Sequence, residues 1–593
     1  MLIAGSDNTL YLNPAILVEK VSYTWNDTLN LGKENFAICH LFPYGCFWYF
    51  LQKLDINNVL IEKMWFIFIW FIGSFSIYKL TAYLTKFFKY STIAGLFAAL
   101  LYQFNTYKMV GVLDVPKHLT YMILPLLLYL FIKGLDDKKS VYAIYFALTT
   151  LLFASAWVNP PMAVIAFIPP FFYFFYYLLI NRNNNIEFKK SFLFVGKLLI
   201  SLLAINLWWI VPFYQTINAS VEDIKTVALS FGPTSTDLFE VFRFLGKWSF
   251  RSSHYLMPYV PYHNIYYNTP LLFLTYLFFL IALVPLFYLR RLNRKIMYFY
   301  LLLIIGVYLT AGKSLSLGFS FLYRYLPGFW IFREPYTKFT PLNTLSISVL
   351  FGIAIMFFFY FIDKKLINVS KNLFCKVISS IILIGIILIS AFPLLTGDCI
   401  WHYRYRGMRS NYVKIPEYWT NIGSWLKNNS PHTRIFVTPK SSYGHNSYNW
   451  ESGVATGGSG VSWLLIPNPY LTYNTNAVNA SQKMINLLYD NFVNLKKDLP
   501  KALSLFGVRY VLQKNDLAWR FAFKDTYSPE KMRRILKSQG VYLKESFGKL
   551  DLYEVSDEYF LPRVFSSTTL IAISGKIDGL MPMTEMKYLG GKR

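Results

Sequence analysis

What most restricts this chain is a succession of apolar runs, each near or beyond the length needed to cross about 30 Å of hydrocarbon. They fall at roughly 59–84, 92–106, 119–133, 141–157, 162–180, 192–213, 270–289, 296–311, 342–362 and 377–396. In lipid each backbone N–H and C=O must be satisfied within its own segment, so runs of this kind fold as helices. The connections alternate in charge. Lys86/Lys89, Lys133/Lys138/Lys139, Arg182/Lys189/Lys190, Arg290/Arg291/Arg294/Lys295 and Lys364/Lys365/Lys371/Lys376 form five basic clusters. By the positive-inside rule these five face the cytoplasm, and the connections at about 107–118, 158–161, 214–269 and 312–341 lie outside together with both chain ends. The prediction is a polytopic α-helical membrane protein with about ten transmembrane helices. Only 15% of the residues are charged, against about a quarter in soluble domains, which supports that class.

The formal net charge of +27 raises nucleic acid as a partner. Its distribution argues against this, because Lys and Arg sit in short clusters between apolar runs and in the C-terminal part, where anionic lipid or polysaccharide is the fitting partner. Cys39 and Cys46 suit either a disulfide on an oxidising side or two free thiols, and the cysteines show no zinc-type spacing. Four regions follow: a polar first extracytoplasmic loop (1–58), the transmembrane region (59–396), an extracytoplasmic α/β domain (397–560) and an unassigned tail (561–593). The α/β reading rests on strand-like Arg434–Thr438 and Val508–Leu512, and on the helical pattern from Pro416 to Lys427. The turn from Gly453 to Gly460 is no phosphate loop, since it lacks the Lys-Ser/Thr ending. Residues 1–58 must be outside, yet the first ten residues hold neither a basic nor an apolar export signal. The expectation is therefore a helix missing upstream of Met1.

Several motifs then occur in order. They are Asp7-Asn8-Thr9-Leu10-Tyr11-Leu12-Asn13-Pro14, Glu34-Asn35-Phe36-Ala37, Leu41-Phe42-Pro43-Tyr44-Gly45-Cys46-Phe47-Trp48, Val158-Asn159-Pro160, Leu207-Trp208-Trp209-Ile210-Val211-Pro212, Pro233-Thr234-Ser235-Thr236-Asp237-Leu238, Phe332-Arg333-Glu334-Pro335-Tyr336-Thr337-Lys338-Phe339 and Phe506-Gly507-Val508-Arg509-Tyr510-Val511-Leu512-Gln513-Lys514-Asn515-Asp516-Leu517. Together they resemble the mycobacterial-type arabinofuranosyltransferases, large polytopic enzymes of the GT-C glycosyltransferase class. The resemblance implies a GT-C-like fold at the plasma membrane that lacks the family's first helix, with arabinofuranose as the sugar. Family members continue well past Arg593.

The chemistry can be argued independently. Nucleotide sugars are cytoplasmic, so a transferase working outside needs a donor carried by lipid, such as a polyprenyl-phosphate sugar. Transfer to a glycan acceptor then requires a carboxylate to accept the hydroxyl proton and cations to stabilise the departing phosphate. Of the sixteen Asp and Glu in residues 1–396, Asp136, Asp137, Glu187 and Asp363 face the cytoplasm on this topology. The shortlist drawn from the others is Asp7, Glu19, Asp27, Glu34 and Asp55 in the first loop, with Asp114, Glu222, Asp223, Asp237, Glu240 and Glu334. Asp7 is favoured as general base by its place in the loop and by the resemblance, although Ser-Asp-Asn also suits a plain turn. Glu34 and Asp114 are candidates for binding sugar or acceptor, and Trp157 and Trp208 (with Trp209) for stacking on it. Arg333, Lys338, Lys117 and His118 are candidates for the donor phosphate, Arg for its bidentate geometry. A divalent cation is left open. The competing classes are a lipid-linked glycan transporter, which would show repeats or mid-membrane charges, and a non-catalytic polysaccharide-assembly protein.

Overall fold

The computed structural model describes the chain except residues 5–9, 110–113, 255–256, 259, 292, 316, 367–368, 401–409, 441–445, 453, 457–459, 474–479, 492–498, 520–525 and 564–593. Residues 564–593 of the expected tail and half of the Gly453–Gly460 turn therefore lie outside the described residues. Among those described, eight helices are long and apolar enough to span: Asn58–Leu84, Val115–Asp137, Pro160–Ile180, Asn185–Asn218, Leu271–Tyr288, Arg294–Ala311, Pro335–Lys365 and Ser370–Ser390. Each overlaps a predicted run, the last ending at Ser390 where the run was expected to reach 396. The two other runs form the 13-residue helices Ser91–Gln103 and Ser140–Leu152. Thirteen residues rise only about 20 Å, so these two helices alone fall short of the hydrocarbon thickness.

Two helices form the centre of the bundle. In both Val115–Asp137 and Pro335–Lys365, 83% of the most apolar window is buried by protein, against 11% in Ser370–Ser390. Close approach here depends on a missing side chain: a Cβ on Gly352 would come within 2.2 Å of the Ala94 carbonyl oxygen on Ser91–Gln103. One expectation is corrected. The connection expected from 214 starts later, because the fourth span continues as a 47-residue helix, Asn185–Phe231. Residues 213–231 contain no Gly or Pro to stop it, and it ends at Gly232, whose φ of +66° suits glycine.

Ion pairs tie the predicted basic connections to one another at one end of the bundle. Lys89 and Lys376 both meet Asp363, Lys295 meets Asp136, and Lys138 meets Glu187 at 2.9 Å. Tyr83 and Tyr90 donate their hydroxyls to Asp136 and Asp363. Members of all five clusters' connections thus share one end.

The first loop and the α/β region occupy the other end. A five-stranded sheet runs in the order Tyr470–Leu471, Arg434–Thr438, Val508–Lys514, Leu550–Glu554, Tyr542–Phe547. Its first three strands are parallel and the last two pair antiparallel. The two predicted strands are neighbours, with Val511 opposite Phe436, and the predicted helix is Glu417–Asn429. Behind the central strand, the Asp516 carboxylate accepts the indole N–H groups of Trp419 and Trp450 at 2.8 and 2.7 Å and the Tyr418 hydroxyl at 3.1 Å. Burial pushes this carboxyl up despite those donors and nearby Lys514. The Asn515-Asp516-Leu517 motif is therefore a clamp between sheet and helix.

The first loop is sewn into this unit. Leu2–Ile3 pairs antiparallel with Tyr412–Val413, and Asn30 N–H donates to the Tyr470 carbonyl at 2.8 Å. Asn13 caps the helix Pro14–Val21, accepting from Ile16 N–H. Near the end of that helix the buried Lys20 ammonium donates to the carbonyls of Trp463 and Ile466, both at 2.7 Å. Cys39 and Cys46 are free thiols, the first buried and the second exposed.

Candidate functional site

The N-terminal ends of the two central helices open beside each other at the end that carries the α/β region. Asp114 caps Val115–Asp137 and accepts from Lys117 N–H at 3.1 Å, with Pro116 in the first turn. The same carboxylate pairs with Lys117 Nζ at 2.5 Å, both side chains being 21% exposed. From the neighbouring helix, Lys338 lies in the first turn of Pro335–Lys365. Its buried ammonium donates to Asn159 Oδ1 at 3.2 Å and sits in the combined field of Lys117, Asp114, Glu334 and Arg333. The structure thus brings together Asp114 and Lys117 from one stretch of the sequence with Arg333 and Lys338 from another. Arg333 is exposed at the rim, its carbonyl accepting from Thr234 N–H at 2.8 Å.

The electrostatics assign Asp114 a role. Burial raises its carboxyl, but the Lys117 ammonium, its two hydrogen bonds and then Lys338 outweigh that and hold it below the usual carboxylate range. A carboxylate so held is a counter-ion and a poor proton acceptor. Counting Glu334, three cations face two carboxylates, which leaves the mouth with an excess of positive charge.

One turn further in, His118 Nε2 meets the ammonium nitrogen of Lys108. Both side chains are buried, and Lys108 lies 4.8 Å from the centre of the Trp70 ring and 5.3 Å from that of Tyr121. Burial drives the Lys108 ammonium well below its ordinary value. The sequence reading passed over Lys108 and left Asn159 inside a motif with no role. Lys108 had a signal: with Lys117 it is one of two lysines in a connection that the positive-inside rule places outside.

The remaining candidates are spread out. Asp7 lies outside the described residues, as do the side chains of Glu222 and Asp223. On either side of Asp7 the chain is anchored: Ile3 N–H donates to both Glu62 carboxylate oxygens at 3.0 and 2.9 Å, Ala4 N–H donates to the Asn411 carbonyl, and Leu10, Tyr11 and Leu12 are buried. Glu62 was absent from the sequence-based shortlist, though a carboxylate inside a membrane helix is a strong signal. Glu34 is half-buried on a hairpin, opposite Trp25, that packs against Asn185–Phe231. Trp157 is fully buried between Phe167 and Trp209, its N–H donating to the Thr150 carbonyl at 2.8 Å, so it has no free face for a sugar in this arrangement. Trp208 is half-buried, edge-on to Phe42 at 6.0 Å, and its indole N–H has no hydrogen-bond partner among the described residues. Among the described residues no three His, Cys, Asp or Glu converge as a metal site.

Comparison with known proteins agrees with this architecture. The chain is similar to the cryo-EM structure of arabinofuranosyltransferase AftD from Mycobacteria, with a TM-score of 0.62 and 16% identity over 93% of this chain and 38% of that one. The R1389S mutant of AftD, class 2, gives a TM-score of 0.60 at 15% identity over 93% of this chain and 40% of the other. The chain thus spans well under half the length of the structures it matches. No curated protein matches it. The family model described as alpha-(1->3)-arabinofuranosyltransferase, N-terminal GT-C domain, matches residues 2–569. That match takes in nearly the whole chain, which therefore belongs to the family of alpha-(1->3)-arabinofuranosyltransferase N-terminal GT-C domains.

Proposed function

We propose that this chain is the catalytic membrane domain of an inverting glycosyltransferase. It moves arabinofuranose from a polyprenyl-phosphate donor to a cell-surface glycan acceptor on the outer side of the plasma membrane. The observation that carries the proposal is the cationic mouth formed by Lys117, Lys338 and Arg333 over Asn159, with Asp114 fixing Lys117 in place. A phosphate arriving from the bilayer meets fixed cations there, and fixed charge aimed at a departing phosphate is worth most where water is scarce. His118, next to Lys117 in the chain, is paired with the buried Lys108.

With Asp114 committed to Lys117, the proton acceptor is assigned to Asp7, from the first loop. Glu34 and Trp208, on the surfaces between the first loop and Asn185–Phe231, are assigned to the acceptor glycan. The test is transfer by Arg333→Ala combined with Lys338→Met. Losing the phosphate contacts should cost about 2–4 kcal/mol of transition-state stabilisation, roughly a 30- to 1000-fold loss of rate. Full rate in the double variant, or transfer from a nucleotide sugar, would end the proposal. Assays with and without a chelator show whether a divalent cation shares the charge.

A further inference from the structure

We propose that the exposed face of Trp25, with Glu34 beside it, is a distal subsite that holds a neutral sugar of the acceptor glycan away from its reacting end; the proposal rests on the transfer to a glycan argued above. Trp25–Asn26 and Lys33–Glu34 form a two-stranded antiparallel hairpin in which Trp25 stands opposite Glu34. Residues directly opposite on such a pair project from the same face, and so does the diagonal neighbour, here Gly32. A Cβ on Gly32 would come within 2.8 Å of the Trp25 indole nitrogen and 2.9 Å of its Cζ2, so the indole lies across the space that the glycine leaves. The φ of +91° at Gly32 suits that residue as well. The outcome is a large flat ring backed by the hairpin's own main chain and still 55% exposed.

Three observations choose a glycan as the occupant. The first is the pairing of ring and carboxylate. A sugar has an apolar face of C–H bonds and a rim of hydroxyls; a flat indole takes the face, and a carboxylate accepts from the rim. Hydrocarbon fits less well, because the ring would carry the neighbouring Glu34 carboxylate into it at a high desolvation cost. The second is rigidity. Buried Asn35 donates its side-chain amide to the carbonyls of Lys20 and Tyr23 at 3.2 and 2.8 Å, and its N–H donates to the Thr24 carbonyl at 2.8 Å. Towards the turn, Tyr470 N–H donates to the Thr28 carbonyl at 3.0 Å and Asp27 pairs with Arg563 at 2.8 Å. A platform held at both ends loses little freedom when a ligand settles on it. The third is place. Glu34 leads through Asn35 into the short helix Phe36–Leu41, which packs against the short helix Ala154–Val158, and the residue after that helix is Asn159, the partner of Lys338 at the mouth. Phe36–Leu41 alone is about 12 Å long, so a ligand that fills both mouth and hairpin is a chain of sugars.

The hairpin also divides the labour of the Glu34-Asn35 motif. Glu34 shares the outward face with the ring, whereas Asn35 is buried beneath it and fixes its base. Trp157, buried between Phe167 and Trp209, cannot offer such a face, but Tyr23, two residues before Trp25, is 71% exposed and adds a second ring to the same stretch. A sugar stacked here is remote from the reacting hydroxyl, so it strengthens the binding of those acceptors long enough to reach it and leaves the chemical step alone.

The test uses the full chain in vesicles, with a disaccharide and an octasaccharide of arabinofuranose as acceptors. The wild-type protein should show the lower KM for the octasaccharide. In Trp25→Ala the kcat/KM for the octasaccharide relative to that for the disaccharide should fall roughly tenfold, and Trp25→Phe should recover most of it. Saturation transfer from protein to octasaccharide, measured by NMR without donor, should weaken in the same order. A loss shared equally by both acceptors would mark the ring as structural, and an unchanged ratio would remove the subsite; either result overturns the proposal. So would a fluorescence component that brominated phosphatidylcholine quenches in the wild type and not in Trp25→Phe, which would put the ring in the lipid interface. If the wild-type protein transfers no sugar, yet saturation transfer to the octasaccharide is lost in Trp25→Ala, the subsite stands and the reaction falls.

Discussion

Lys117 and Lys338 reach Asp114 from helices whose starts are more than two hundred residues apart in the chain, and this convergence gives Asp114 a partner that its own stretch of sequence does not show. Asp114 is fixed as a counter-ion, so the general base must come from elsewhere, and Asp7 is the proposed residue. Asp7→Asn keeps size and hydrogen bonding and removes the proton acceptor. Its transfer rate should fall about 10²–10⁴-fold with donor binding nearly unchanged. Measuring rate and donor KM together checks this, and near-normal turnover would move the role to Glu34. Residue identity was legible where a motif carried it, as at Arg333 and Lys338. It was illegible where the meaning depends on a distant partner. Asn159 became informative only when Lys338 was found donating to it, and Glu62 only when the Ile3 backbone was found on its carboxylate.

Apolar runs located every membrane helix, because period and length are local properties. What the runs concealed is how far each element continues. Asn185–Phe231 is about 70 Å long and carries on well past its apolar part, while Ser91–Gln103 and Ser140–Leu152 stop short. Both outcomes are set by breakers and by packing against neighbours, which hydropathy does not register. The helix Pro14–Val21 gives a test at this scale. It is held to the α/β region by Lys20, whose ammonium burial pushes down to about 7 while it donates to two carbonyls. Lys20→Met keeps the length and leaves both carbonyls unpaired, a cost of about 1–3 kcal/mol each when a buried group is stranded. Hydrogen exchange should quicken in residues 14–21 and 462–466 and stay unchanged in the central helices; uniform exchange across the protein would contradict the contact.

For the molecule as a whole, the grouping of the basic connections at one end and of the first loop with the α/β region at the other makes sidedness a single binary choice. The positive-inside rule makes that choice. A cysteine at Ser424 should react with an impermeant thiol reagent in intact cells, and one at Ser140 only after permeabilisation; the opposite pattern would reverse the molecule. The class was legible from hydropathy alone, and the family from motifs spread along the chain. The joining of the first loop to residues beyond 410 was not legible, because strands of two residues leave no pattern. That joining has a consequence for biogenesis. Leu2–Ile3 finds its partner only at Tyr412–Val413, with the eight described spans lying between them in the chain, and pairing at such sequence separation is slow. During synthesis residues 2–3 must wait, unpaired, for residues 412–413, so this face is joined only after the membrane helices between them have been made.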